Sequence, residues 1–278
     1  MTDPQENELA QIASVLQREI QIPALESLIY SFKRTPRELT SSSKNAKQNL
    51  SEKELEESAI VFDSSAILRI SSNSLKSANI IDYLVSEHKM PIVISGQAVL
   101  EFWNNYFSTL ETIPKSFSKK FQELKDASKR TAILNHTSIH EIEKHLEIVE
   151  NDHQHLLSPE TIRETEAFFE KLCNKAIVPA APRGGLDDIA KQRKASKTPP
   201  GFKDDADGDF YIWVDLLFGL LVEKRKGSNF EKVIFVTNDQ KKDWSSFGCA
   251  HPILHAEAKA ILDADLRICN LDTFYTAF

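Results

Sequence analysis

Two carboxylates closely follow short apolar segments of the chain. Asp63 ends the apolar run 59–62, and Asp239 comes three residues after the apolar run 232–236. Both segments have the length and the continuous apolar character of buried parallel strands. Ligands of open α/β sheets bind beyond the carboxyl ends of the strands. We therefore expect Asp63 and Asp239 to lie at one edge of a parallel sheet.

Three further acids are placed so that they could reach the same edge. Glu101 lies in the second turn of a helix that is predicted to begin near Gly96, after a second short apolar strand at 90–94. Asp209 begins a strongly apolar helix, where the helix dipole favours a negative charge. Asp243 lies four residues after Asp239 and shares its face if that turn is helical. All five carboxylates are thus expected to project toward the carboxyl edge of the sheet.

Carboxylates packed together in this way repel one another, and each raises the pKa of its neighbours. A hard divalent cation removes the repulsion, and oxygen ligands are the ones that Mg²⁺ and Mn²⁺ prefer. Such a site can activate a water for in-line attack on a phosphodiester and can stabilise the leaving oxygen. No His, Ser or Cys nucleophile is required. The acids therefore predict phosphodiester hydrolysis better than acyl transfer.

Composition indicates a globular protein of a reducing compartment. The 278 residues are 41% apolar, carry a formal charge of −7 and include three cysteines without metal-ligand spacing. The first residues lack the basic and apolar regions of a signal peptide. The longest apolar run, 210–222, is shorter than the roughly 20 residues that cross a bilayer. These features predict a cytoplasmic protein with no membrane segment, and its charge is compatible with a nuclease that has an acidic metal site.

The order of elements predicts an α/β fold, since apolar strands alternate with helices. Residues 1–53 are interpreted as an N-terminal helical extension with a polar linker, and residues 54–278 as the main domain. A helical insertion is expected over about 115–178. The N-terminal helices are expected to pack on their own domain, with a homo-oligomer or a partner protein as the alternative.

A basic segment precedes Asp209. It includes Lys194, Lys197 and Lys203, which belong either to a solvated loop or to a surface that attracts nucleic-acid phosphates near the acids. The scattered histidines have no zinc-ligand spacing.

Four segments together resemble the PIN-domain nucleases, and most closely a PIN-like subgroup with a long helical insertion before the third acidic motif. They are Val61-Phe62-Asp63-Ser64-Ser65-Ala66-Ile67-Leu68, Ile94-Ser95-Gly96-Gln97-Ala98-Val99-Leu100-Glu101-Phe102, Pro199-Pro200-Gly201-Phe202-Lys203-Asp204 leading to Gly208-Asp209, and Val233-Ile234-Phe235-Val236-Thr237-Asn238-Asp239 with Lys242-Asp243-Trp244. The resemblance covers about residues 59–275. It implies a three-layer α/β/α sandwich with a central parallel sheet and one or two Mg²⁺ or Mn²⁺ ions. It also implies cleavage of RNA or, less often, DNA.

The resemblance also assigns roles to individual residues. Four of the acids match the family's four acidic positions, namely Asp63, Glu101, Asp209 and Asp239. Asp243 matches an auxiliary acid. Ser64 or Ser65 would hold a metal-bound water or a phosphate. Asp204, Asp205 and Asp207 also lie in the third motif, so the resemblance leaves open which carboxylate is the ligand there.

Three other functions were compared with the nuclease. A catalytically silent PIN-like scaffold that binds nucleic acid or a protein stays open as the alternative, although all four motif acids are present. A metal-dependent adhesion module would need Ser at position 67, which is Ile67. A phosphatase with Asp63 as nucleophile would need an acid at position 65, which is Ser65. Both of these functions are rejected.

Overall fold

The structure is a computed structural model that describes residues 4–17, 49–70, 74–130, 136–152, 159–239, 241–246 and 249–278. Its centre is a sheet of four parallel strands in the order β2-β1-β3-β6. These strands are β1 (Ser58–Phe62), β2 (Ile92–Ile94), β3 (Lys232–Val236) and β6 (Asp265–Cys269), and a small antiparallel hairpin consists of β4 (Ser245–Ser246) and β5 (Cys249–Ala250).

Helices flank the sheet. In chain order they are α1 (Pro4–Gln17), α2 (Glu52–Glu56), α3 (Ser64–Ile70), α4 (Ser74–Asp82) with a π-helical turn Tyr83–Glu87, α5 (Gly96–Arg130), α6 (His136–Asp152), α7 (Pro159–Lys175), α8 (Leu186–Ala195), α9 (Gly208–Arg225), α10 (Pro252–Leu262) and α11 (Leu271–Phe274) with a 3₁₀ turn Tyr275–Ala277. The expected α/β architecture with a central parallel sheet is confirmed.

The apolar strands lie where the sequence predicts them. All five residues of β1 are buried, as is typical of a parallel strand covered on both faces. The register pairs Phe62 with Ile94 of β2 and with Val236 of β3. The last residues of three neighbouring strands are therefore level with one another. Side chains that directly follow these strands meet at one edge.

The range expected for the helical insertion contains the end of α5, all of α6 and α7 from its start at Pro159. Residues 131–135 and 153–158 lie outside the described residues. The expected start of the insertion at 115 lies inside α5, which runs unbroken from Gly96. Helix α8 and the hairpin were not predicted. Helix α8 is short and strongly polar, so its sequence carries little apolar periodicity.

Two helices differ in how they are buried. Helix α9 is apolar on nearly every side and is buried along most of its length, as its sequence predicts. Helix α1 is amphipathic and packs against α9 and α10 through Ile12 and Leu16. Residues 18–48 of the expected N-terminal extension lie outside the described part of the chain. Within the described part, no helix combines the length and the apolar character that a membrane span requires.

Candidate active site

Asp63 directly follows β1, and two hydroxyl groups orient its carboxylate. One belongs to Ser65, just after β1, and the other to Thr237, just after β3. Its backbone N–H donates to the carbonyl of Val236 at 3.0 Å, which continues the pairing of β1 with β3. Its Oδ2 accepts hydrogen bonds from Ser65 Oγ at 2.6 Å and from Thr237 Oγ1 at 2.8 Å. The residue is only 7% exposed. Asp63 is therefore a fixed carboxylate at the carboxyl edge of the sheet.

Glu101 approaches Asp63 from helix α5. Ser64 Oγ lies 3.4 Å from Asp63 Oδ1 and 3.4 Å from Glu101 Oε2, so that one hydroxyl group lies between the two carboxylates. Glu101 Oε1 accepts a hydrogen bond from Gln97 Nε2 at 3.1 Å. A Cβ atom added to Gly208 would lie 2.4 Å from Glu101 Oε1. Glu101 therefore reaches the first turn of α9 because Gly208 has no side chain.

A second group of carboxylates surrounds Lys241, which follows β3. Lys241 Nζ lies 2.5 Å from Asp204 Oδ2, 2.9 Å from Asp239 Oδ2 and 3.1 Å from Asp209 Oδ2. Thr237 joins this group to Asp63, since its hydroxyl also accepts a hydrogen bond from the N–H of Asp239 at 3.0 Å. The structure thus brings Asp63, Glu101, Asp209 and Asp239 to one site and adds Asp204.

The electrostatics of the site follow from burial and from Lys241. Burial raises the pKa of Glu101, and the neighbouring Asp63 raises it further. Burial also raises the pKa of Asp209 to about 7, against the opposing effect of the Lys241 ammonium. Burial acts in the same direction on Asp204, but the hydrogen bonds with Lys241 and Asp209 and the charges of Lys241 and Lys194 together outweigh it and lower the pKa of Asp204. The raised pKa values of Glu101 and Asp209 are those expected of buried carboxylates that lie near other acids, whereas the lowered pKa of Asp204 is that expected beside an ammonium group.

Asp243 differs from the other acids of the site in its burial and in its hydrogen-bond partner. It is fully buried, and its Oδ2 accepts a hydrogen bond from the backbone N–H of Gly201 at 3.0 Å. Gly201 has a φ of +81°, and a Cβ atom there would lie 3.0 Å from the Cβ atom of Asp209. Asp243 therefore holds the loop that packs against Asp209. Its role as a metal ligand stays a prediction.

Asp215 anchors the start of α5, the helix that carries Glu101. Its carboxylate is fully buried and accepts hydrogen bonds from the backbone N–H groups of Gln97 at 3.0 Å and Ala181 at 2.9 Å. The Arg183 guanidinium pairs with both carboxylate oxygens, at 2.8 and 3.0 Å. One buried acid of α9 thereby fixes the first turn of α5 and the segment after α7. Its sequence position inside an apolar helix is the signal that could have indicated this role.

The predicted phosphate-binding lysines have different surroundings. Lys194 Nζ donates to the carbonyl of Asp205 at 2.7 Å and lies 3.4 Å from Asp207 Oδ1, so it stabilises the loop before α9. Lys197 and Lys203 are exposed. Ser64 and Ser65 contact Asp63 directly, as described above. The phosphate contacts of these five residues stay predictions.

The donor set of the site consists of oxygen atoms, which suits Mg²⁺ or Mn²⁺. Asp63, Glu101, Asp209 and Asp239 supply carboxylates from four different segments of the chain. As the side chains are placed, no group of three or more His, Cys, Asp or Glu residues in the described ranges has the arrangement of a metal site. Lys241 gives a physical reason, since its ammonium group pairs with Asp209 and Asp239, and with the neighbouring Asp204. The residues fit the ion chemically, and the cation that now pairs with Asp209 and Asp239 belongs to the chain.

Comparison with known proteins assigns the family. A family model described as a PIN like domain matches residues 59–248, which is more than half of the chain. The chain belongs to the PIN-like domain family. The match includes Asp63, Glu101, Asp209 and Asp239, whereas α1 and β6 lie outside it. No curated protein and no solved structure matches the chain.

Membership in the PIN-like domain family confirms the resemblance that the sequence motifs indicate. PIN domains are generally nucleases, typically use divalent metal ions and bind nucleic acid. Sequence reasoning predicted the four acids that the structure brings together at this edge of the sheet. It missed Lys241, Thr237 and the tryptophan Nε1 of Trp244, which donates to Asp209 Oδ2 at 3.1 Å. Lys241 lies between the two parts of the fourth motif, and Trp244 ends that motif. Their closeness to Asp239 in the sequence is the signal that could have indicated a role at the site.

Proposed function

We propose that the protein is a metal-dependent endonuclease that hydrolyses phosphodiester bonds, with RNA favoured over DNA as the substrate. The observation that carries this proposal is the meeting of Asp63, Glu101, Asp209 and Asp239 at the carboxyl edge of the sheet in a PIN-like domain. The preference for RNA, and a cytoplasmic location, follow from the family resemblance and the composition.

The proposed roles follow from the positions of the side chains. Asp63, Glu101, Asp209 and Asp239 would hold one or two Mg²⁺ or Mn²⁺ ions, with Asp243 as an auxiliary acid. A bound ion would supply an activated water and would stabilise the negative charge on the leaving oxygen. Ser65 and Thr237 orient Asp63, and Ser64 lies where it can bind a water or a phosphate oxygen between Asp63 and Glu101.

The substrate must reach this site from the solvent side of the sheet edge. Lys197 and Lys203 are exposed on the loop between α8 and α9, which leads into Asp209. They are the proposed contacts for the substrate backbone, because phosphate contacts by lysine supply sequence-independent affinity. Lys194 is proposed to act through the loop it stabilises, since its ammonium is already engaged. No step requires a base-specific contact.

The alternative function is a PIN-like scaffold that binds nucleic acid or a protein without cleavage. The presence of all four acids favours the nuclease, because crowded carboxylates repel one another and destabilise a site that has no use for them. One assay separates the two functions. It compares the full chain with the Asp63→Asn variant on labelled single-stranded RNA and DNA, with Mn²⁺, Mg²⁺ or EDTA.

Asp188→Asn is the matched control, since Asp188 is an exposed acid on α8. We expect metal-dependent cleavage by the wild type and by Asp188→Asn, and a loss of about 100-fold or more in Asp63→Asn. Equal cleavage by Asp63→Asn would contradict the proposal. Binding of RNA without cleavage by a folded protein at saturating metal would support the scaffold.

A further inference from the structure

Lys241 has the surroundings of a bound cation. Its ammonium group contacts carboxylate oxygens of Asp204, Asp209 and Asp239 at 2.5, 3.1 and 2.9 Å. These three acids come from the loop before α9, from the first turn of α9 and from the loop after β3. Its own backbone N–H donates to Asp239 Oδ1 at 3.0 Å, which fixes where the side chain begins. Lys241 therefore joins three segments that otherwise carry like charges.

An ammonium group suits this position for two physical reasons. It offers three N–H donors and no acceptor, so it can satisfy one oxygen of each acid. It also compensates the repulsion that three neighbouring carboxylates would otherwise suffer. The side chain is 33% exposed, so its desolvation is incomplete and the ion pairs retain a route to solvent. The Lys241 ammonium group is therefore fixed by three ion pairs and remains partly accessible to solvent.

The same oxygen atoms are the ones that a divalent ion would use. Asp209 Oδ2 and Asp239 Oδ2 both accept from Lys241, and both residues are motif acids. Two cations at such short separation repel strongly in a partly buried site. A divalent ion and the Lys241 ammonium therefore cannot share these two oxygens.

We propose that Lys241 is an internal cation that holds the metal-free site together and competes with the divalent ion for Asp209 and Asp239. Metal binding is then an exchange, in which the ammonium leaves these oxygens as the ion arrives. Lys241 is a positioning residue in this scheme, since it acts through the carboxylates. The inference rests on the proposed function for the identity of the ion.

The test measures Mn²⁺ affinity by isothermal titration calorimetry on the full-length chain. The variants are Lys241→Met, which keeps the length of the side chain and removes its charge, and Lys241→Arg, which keeps the charge. Lys242→Met is the control, because Lys242 is the exposed neighbour. We expect Lys241→Met to bind Mn²⁺ at least about tenfold more tightly than the wild type, since the competing charge is gone. Lys242→Met should match the wild type, and Lys241→Arg should bind no more tightly than the wild type.

Thermal unfolding gives a second reading of the same variants. Without metal, Lys241→Met should melt below the wild type, because the carboxylates have lost their counter-charge. Saturating Mn²⁺ should raise its Tm more than it raises that of the wild type. A merely structural lysine would weaken both stability and metal binding when removed. Mn²⁺ affinity that is equal or weaker in Lys241→Met overturns the inference.

A measurement on the wild type covers the case in which Lys241→Met does not fold. The side-chain ¹⁵N signal of Lys241, assigned by its loss in Lys241→Arg, should shift and exchange faster with water at saturating Mg²⁺. An unchanged signal overturns the inference. Failure of the proposed function appears differently, as a wild type that binds Mn²⁺ without cleaving either nucleic acid. If neither the wild type nor Lys241→Met binds Mn²⁺, the inference and the metal-dependent function fall together.

Discussion

The Asp63 carboxylate shows how single hydroxyl groups set the geometry of the site. Ser65 Oγ and Thr237 Oγ1 both donate to Asp63 Oδ2, and they lie 3.2 Å from each other. Ser65 Oγ also accepts from the N–H of Asn238 at 3.0 Å. The two hydroxyl groups thus connect the end of β1 to the end of β3. They act on the same oxygen atom and should behave as one unit.

A double-mutant cycle tests this unit. Ser65→Ala and Thr237→Val should each lower metal-dependent cleavage by about 10- to 100-fold, as is usual when the partner of a metal ligand is removed. The double variant should lose less than the product of the two effects, because each substitution disturbs the same carboxylate. Cleavage rates of the four proteins give the coupling. Ser196→Ala, which removes an exposed hydroxyl after α8, is the control, and strictly multiplicative losses would contradict the interpretation.

His88 gives the protein a stability that depends on pH. It is 2% exposed, and burial together with the charge of Lys175 lowers its pKa to about 4. The unfolded chain, with a pKa near the ordinary 6.5, therefore binds more protons than the folded protein between about pH 4 and pH 6.5. The contribution of neutral His88 to stability is complete above pH 6.5. It is lost progressively as the pH falls toward 4.

This prediction is checked by urea unfolding of the wild type and of His88→Leu at pH 7, 6 and 5. The wild type should lose free energy of unfolding faster than His88→Leu as the pH falls, with an added slope of up to about 1.4 kcal/mol per pH unit. Carboxylates titrate in both proteins, so the difference between them isolates His88. Parallel pH curves would show that His88 does not contribute.

At the scale of elements, the close approach of α5 and α9 decides where Glu101 lies. Gly208 opens α9, and its missing side chain leaves room for the Glu101 carboxylate. Asp215, farther along α9, holds the first turn of α5 through the backbone N–H of Gln97. Helix α9 therefore sets the position of Glu101 in two ways. Gly208 leaves space for its carboxylate, and the buried Asp215 carboxylate holds the start of its helix.

Gly208→Ala should displace the Glu101 carboxylate while it leaves the fold intact. The atom that must move is the far end of a flexible side chain, and alanine is a good helix former, so we expect a change in the free energy of unfolding within about 1 kcal/mol. Cleavage should fall about 10- to 100-fold, since small displacements of reacting groups have large effects on rate. Gly184→Ala is the control, because nothing lies within 4 Å of a Cβ atom there. Unchanged cleavage by Gly208→Ala would contradict the role of this contact.

The loop that carries the third motif is fixed by a buried ion pair between helices. Arg193 on α8 pairs with Glu257 on α10 at 2.6 and 3.1 Å, and its guanidinium also donates to the carbonyl of Pro199. Trp213 Nε1 on α9 donates to the same glutamate at 2.8 Å. Burial raises the pKa of Glu257, and Arg193 opposes that effect. The loop that leads to Asp209 thus rests on three helices.

At the scale of the whole molecule, α1 belongs to the same core as the PIN-like domain. Ile12 is fully buried and Leu16 is 5% exposed, and Glu8 pairs with Arg225 at the end of α9. Residues 4–17 therefore pack on the domain, as the sequence predicts for the N-terminal region. Their contacts lie on α8, α9 and α10.

Ile12→Ala tests this packing. We expect a loss of about 2–4 kcal/mol in the free energy of unfolding, which is typical of removing a buried isoleucine side chain. Metal-dependent cleavage at 25 °C should not change, because Ile12 touches no part of the site. Gln17→Ala, an exposed change on the same helix, should leave both quantities unchanged. An Ile12→Ala variant as stable as the wild type would show that α1 does not contribute to the core in solution.

The sequence alone determined the strands and the acids that follow them. Buried parallel strands are short apolar runs, and a carboxylate that closely follows such a run lies near the sheet edge, so the local pattern indicated the positions of Asp63 and Asp239. Glu101 and Asp209 followed from helix starts. The family motifs rest on these same residues, and they indicated the PIN-like fold.

The tertiary structure alone decided how the charges pair. Lys241 lies 37 residues after Asp204 and 32 residues after Asp209, and no periodicity in the sequence indicates that its ammonium group will lie among those acids. Asp243 shares the spacing of a site residue but binds the N–H of Gly201, because the turn after Asp239 directs it under the loop. Hydrophobic pattern is a local property of the chain, whereas ion pairs depend on where distant loops meet.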